Sequence, residues 1–165
     1  MAVRQDAHRA AQAILSDTWD GSLPVDPVRI ARSLGMDVIT AGLASNVAGA
    51  LVKERGQDPS IVLNAQDSPN RQRFTCAHEI GHFVRREESG DDYEYVDYRD
   101  IFSSTGERDD ERFANAFAAC LLMPEEDVRR FHREGLSDIQ MALRFDVSRD
   151  AMSFRLANLN LNGRR

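Results

Sequence analysis

Arg71-Gln72-Arg73-Phe74-Thr75-Cys76-Ala77-His78-Glu79-Ile80-Gly81-His82 is the stretch around which the rest of the chain organises. It has no proline and one glycine, and Phe74, Ala77 and Ile80 recur at helical spacing, so it reads as a helix. At about 100° per residue, His82 falls about 40° from His78 and Thr75 about 60°, whereas Glu79 points about 100° away and Cys76 about 160°. Two imidazoles one turn apart can bind one metal ion, with a carboxylate beside them to handle a proton. That is the donor arrangement of a zinc hydrolase. Cys76 cannot share the metal.

A catalytic zinc takes three protein ligands and keeps one position open, so a third ligand is sought downstream. Many acidic residues follow, and Glu111 is the best placed. It begins an amphipathic run, Glu111-Arg112-Phe113-Ala114-Asn115-Ala116-Phe117-Ala118-Ala119-Cys120-Leu121-Leu122, in which Glu111, Asn115, Ala118 and Leu122 share one face. Small Ala114 and Ala118 allow this helix close to the histidine helix, while Phe113 and Phe117 supply core on another side. Asn115 could accept the proton on the second nitrogen of a ligating histidine and so set its tautomer. The plainer alternative for Asn115 is a buried amide satisfying backbone groups.

Upstream, Gln5 to Leu15 and Pro27 to Leu34 carry helical spacing, the second ending at Gly35. Brief β-prone runs follow at Met36 to Thr40, Ala48 to Lys53 and Ser60 to Leu63, separated by turn residues, and predict a small three-stranded sheet. Ile61-Val62-Leu63-Asn64 is read either as an edge strand able to pair with an extended substrate or as an ordinary core strand. From Asn70 the pattern is helical, with helices expected near 70–86, 109–122, 124–134, 136–145 and 148–159. Helix, sheet, then helices is an α+β order.

The 165 residues, 42% of them hydrophobic, suffice for one well-buried domain. No apolar run is long enough for a membrane span and the start Met1-Ala2-Val3-Arg4-Gln5-Asp6 has no signal core, so a cytoplasmic location is expected. Cys76 and Cys120 are read as reduced core thiols. The net charge of −6 argues against a general affinity for nucleic acid. Glu87 to Glu111 holds eleven acidic residues against Arg99 and Arg108, a local −9 that leaves the remainder at +3. That segment is expected to be an exposed, mobile connection.

With these residues in view, the chain resembles the ImmA/IrrE-type metallopeptidases. The likeness runs through Pro24-Val25-Asp26 to Leu34-Gly35, Arg71 to His82, Glu111 to Ala119, and Leu121-Leu122-Met123-Pro124. It implies a zincin-like helical core, with His78, His82 and Glu111 as ligands of Zn2+ or another divalent metal. It implies Glu79 as the acid/base that activates a zinc-held water in peptide hydrolysis. It also implies a helix-turn-helix transcriptional repressor as the protein substrate. Oxyanion donors are sought among Tyr93, Tyr95, Tyr98, Arg85 and His132 without a choice between them.

Ile139 to Leu156 reads as a helix-turn-helix, with the turn at Val147-Ser148 and Ser148 as N-cap. Residues 1–135 are accordingly taken as the peptidase core and 136–165 as a C-terminal helix-turn-helix-like extension. From Leu136 onward there are five Arg against three Asp, thin for a phosphate-binding surface, so direct DNA binding is not expected and the pair is read as packing or substrate docking. The alternative function is a DNA-binding or repressor-sequestering regulator with a structural metal.

Overall fold

The computed structural model describes residues 2–90, 94–100 and 108–161. Helix α1 (Ala2–Thr18) leads to the short α2 (Pro27–Ser33), whose first turn is closed by the Asp26 side chain accepting from the amides of Val28 and Arg29. Strands β1 (Asp37–Ala41), β2 (Val47–Lys53) and β3 (Ser60–Asn64) follow where β-branched and aliphatic residues gather between turns. The histidine helix is α3 (Pro69–Ser89), capped by Ser68, started by Pro69 and stopped by the left-handed Gly90. Strand β4 (Tyr95–Asp100) precedes α4 (Arg108–Leu122), α5 (Glu125–Arg133), α6 (Asp138–Phe145) and α7 (Arg149–Asn158).

The α+β class is as expected, but the sheet has four strands in the order β1-β3-β2-β4. The fourth corrects the reading of the acidic stretch as a mobile connection. Tyr95 to Asp100 pairs antiparallel with β2, from Lys53↔Tyr95 to Val47↔Asp100. Its charges masked a short aromatic and β-branched run, Tyr95-Val96-Asp97-Tyr98. Residues 91–93 and 101–107 of that stretch lie outside the described residues. The edge-strand reading of Ile61 to Asn64 is also corrected, because β3 lies between β1, to which it is parallel, and β2, to which it is antiparallel. Its backbone groups are committed on both sides, so it cannot pair with a substrate.

One face of the sheet carries Leu51, Ile61 and Leu63, all buried, together with Gly49. That face rests on α3. A Cβ at Gly49 would lie 2.6 Å from Thr75 Cγ2 and 2.7 Å from the Val62 carbonyl oxygen, so glycine sets how closely sheet and helix approach. On its other side α3 meets α4 equally closely: a Cβ at Gly81 would stand 3.0 Å from Ala114 Cα and 3.3 Å from Phe117 Cβ. Ala114 and Ala118 are fully buried, as the small-residue reading anticipated, and Phe113 and Phe117 stack at 6.2 Å in the core. Full burial of each such phenylalanine is worth about 1.5–3 kcal/mol. A Gly81→Val protein is therefore expected to lose about 1–3 kcal/mol in chemical denaturation through overpacking, despite valine's better helix propensity. Wild-type stability in that variant would show that the approach of the two helices is not fixed there.

The α6–α7 pair is capped as the sequence indicated, Ser148 accepting from Ala151 N and Ser137 forming a reciprocal capping box with Gln140. Met141, Phe145, Met152 and Leu156 enter the same hydrophobic cluster as α3 and α4. Arg73, on α3, donates to the carbonyls of Val25, Phe145 and Asp146. Arg155, on α7 and buried, donates to the Met123 carbonyl at 3.0 Å. The pair is thus tied to α3 at its turn and, through α7, to the end of α4.

Candidate metal centre

Helix α3 brings His78, fully buried, and His82 one turn further to the seam with α4, their rings edge to face at 4.7 Å. Their Nε2 atoms are 3.0 Å apart. Glu111, in the first turn of α4, completes the group, with Oε1 3.0 Å from His82 Nε2 and Oε2 3.4 Å from His78 Nε2. Ligands bound tetrahedrally to zinc at about 2.0–2.2 Å lie roughly 3.3–3.5 Å from one another, so these separations suit a single ion. Among the described residues this is the one group of three His, Cys, Asp or Glu side chains placed to hold a metal.

The donor chemistry agrees with the spacing. His78 Nδ1 lies 3.0 Å from Asn115 Oδ1, and a ring N–H facing that oxygen leaves a lone pair on Nε2. Two ring nitrogens and a carboxylate then converge as electron-pair donors, and a divalent cation satisfies all three together. Asn115 is exposed, which sets aside the alternative of a buried amide serving the backbone. The neighbouring imidazoles of His78 and then His82 hold the Glu111 carboxyl far below the usual carboxylate range, outweighing the opposing effect of burial. It remains a carboxylate throughout the physiological range. Glu79, 1% exposed, follows His78 directly on the inner part of α3.

A peptidase family described as IrrE N-terminal-like domain matches residues 31–157, which span α3, β4, α4 and the helical pair. The chain belongs to this family. It is 34% identical over 161 residues to the radiation response metalloprotease IrrE of Deinococcus radiodurans, covering 92% of this chain and 47% of that protein. The protein of the same name from Deinococcus deserti is 38% identical over 102 residues, 59% of this chain and 35% of that one. The chain thus spans about half or less of the length of these curated relatives. A solved Mycobacterium tuberculosis transcriptional regulator has the same fold, with a TM-score of 0.68 over 93% of this chain and 46% of that chain at 17% identity.

For this member of the IrrE-like family, other residues singled out in the sequence lie apart from the donor cluster. Cys76 is a free, fully buried thiol pushed up to about 12, chiefly by burial and then by the negative charges of Asp26 and Glu79. It is a neutral core group, and Cys120 is likewise free, buried and raised by burial. Arg85 is engaged at the junction of α3 and α4. It pairs with Asp110 at 3.2 Å, next to Glu111, and lies over the Phe113 ring at 5.1 Å, tying α3 to the start of α4. Tyr95 is covered by the Arg86 guanidinium at 4.1 Å, and His132 sits in the last turn of α5. Tyr93 and the Tyr98 side chain lie outside the described residues. The roles of Gly49 and Gly81 escaped the sequence reading, because a helical or strand glycine signals close approach only once its neighbour is known.

No helix among the described residues is long and apolar enough to cross a membrane.

Proposed function

We propose that this chain is a zinc-dependent endopeptidase, with His78, His82 and Glu111 as the metal ligands and Glu79 as the acid/base. The observation that carries this reading is the convergence of two imidazole nitrogens and one carboxylate within 3.0–3.4 Å, one helical position from a buried glutamate. Zinc at these ligands supplies Lewis acidity to the scissile carbonyl and to the attacking water. Glu79 takes the water's proton and returns it to the leaving amine. Asn115 holds His78 in the Nδ1–H tautomer, so that Nε2 points at the metal. Replacing Asn115 with Ala should lower zinc affinity about 10–100-fold in competition with a chromophoric chelator; wild-type affinity would remove Asn115 from the site.

The substrate we propose is a helix-turn-helix transcriptional repressor in the cytoplasm, cut rather than sequestered. Residues 1–135 form the catalytic part and 136–165 a helical extension that packs beside it. DNA binding by that extension finds little support in its charge. Arg149 is paired with Asp138 at 2.9 Å, Arg155 is buried, and Arg144 lies over the Phe131 ring at 5.3 Å. The test is metal analysis of the purified protein, followed by incubation with a repressor encoded beside it and mass spectrometry of the products. One zinc per chain and discrete fragments are expected; stoichiometric binding of intact repressor would favour sequestration.

A further inference from the structure

A groove of 980 Å3 begins at Asn115 and Phe74, which flank His78, and runs between the outer face of α4, the start of α1 and helix α7. This channel adjoins a second hollow of 550 Å3, with which it shares Arg4, Ala116, Ala119, Arg155 and Asn158. Its floor is apolar: Met123, Ala116, Ala119 and Ala151 line it, and Phe154, 72% exposed, stands on its wall. Such an aromatic on a soluble protein is the kind of anchor that binding surfaces use.

The charge of the groove is opposite to that of the molecule. Arg4 and Arg112 line it against Asp150, and Arg155, buried, forms part of the lining, in a chain of net −6 whose 87–111 stretch carries −9. Among the described residues Arg112 pairs with the exposed Asp109 at 3.5 Å, and such pairs are worth little. Arg4 bridges to Asn158 at 3.2 Å across the α1–α7 rim, which holds its charge at the edge. An acidic segment is drawn to a channel lined in this way, which gives the groove a preference that apolar area alone does not supply.

We propose that this channel seats the substrate segment next to the scissile bond, and that it selects a bulky apolar side chain flanked by acidic residues. The inference rests on the peptidase reading above. Its volume suits several consecutive residues, the apolar one against Met123 and Phe154 and its acidic neighbours toward Arg4 and Arg112.

The test uses zinc-treated Glu79→Gln protein and three fluorescein-labelled dodecapeptides in a Gly-Ser background, read by fluorescence anisotropy at low salt. One carries a central Leu-Phe between pairs of Glu, one has the Glu replaced by Lys, and one has Leu-Phe replaced by Ser-Ser. The acidic Leu-Phe peptide is expected to bind at least tenfold more tightly than either other. An Arg4→Glu/Arg112→Glu double variant should transfer the preference to the Lys peptide, and Phe154→Asp should weaken the Leu-Phe peptides alone. Equal affinity for all three peptides, or an acidic preference that survives the charge reversal, overturns the proposal. Concentration-dependent self-association abolished by Phe154→Asp would assign the channel to a second copy and overturn it too. Zinc content, measured on the same samples, separates the two ideas: protein without zinc defeats the peptidase reading, whereas zinc without peptide discrimination defeats the channel alone.

Discussion

A Glu79→Gln protein will keep its metal and lose peptide cleavage, its kcat falling by about 10²–10⁴-fold. The carboxamide has the shape of the carboxylate, so at a position only 1% exposed it should leave α3 undisturbed, yet it cannot serve as a base. The proposed metal ligands His78 and His82 lie on another arc of the helix, about 40° wide, so they are untouched. Single-turnover cleavage of the repressor, paired with metal analysis of the same preparation, separates the two effects. Undiminished turnover would remove Glu79 from the chemistry, and loss of metal would make it a structural residue instead.

The second large effect falls on the metal itself. Glu111→Gln should lower zinc affinity by about 100–1000-fold, the share of one ligand in a total zinc binding energy on the order of 10–16 kcal/mol. Glutamine is nearly isosteric and can still approach both imidazoles, but it brings no charge to a site whose other protein donors are neutral. The carboxyl of Glu111 is held far below its ordinary value by the two histidines, so the site is ready to accept a cation without first expelling a proton from it. Chelator competition across pH should therefore show Glu111→Gln binding zinc more weakly than wild-type protein at every pH. Equal affinities would exclude Glu111 as a ligand.

Much of this site was legible in the chain because its parts are local. The one-turn spacing of His78 and His82 and the shared face of Glu111, Asn115 and Ala118 follow from helical geometry alone, and the structure brings these side chains together. Residues whose meaning depends on distant partners were not legible. Gly81 reads as an ordinary helical glycine until Ala114 is found 3.0 Å from where its Cβ would be. Strand β3 reads equally well as an edge or a centre, because strand order is decided by the pairing of β1 and β2 around it. Tyr95 to Asp100 was overshadowed by neighbouring charge, although its alternation and its pairing to Val47–Lys53 belong to a strand. Nothing in the sequence around Arg73 and Arg155 signals that each donates to backbone carbonyls at the junction with the C-terminal helices.

These details share a physical logic. The sheet fixes α3 through Gly49 and Thr75, α3 fixes α4 through Gly81 and Ala114, and the histidines and Glu111 occupy the seam between the two helices. A metal centre built on packed helices holds its geometry better than one carried on loops, which suits a site whose ligands must all reach one ion. The most direct measurement of this account is an anomalous difference map at the zinc edge from crystals of zinc-loaded protein. It should show a single peak about 2.0–2.2 Å from His78 Nε2, His82 Nε2 and a Glu111 oxygen. A peak bound elsewhere, or none at those three atoms, would contradict it.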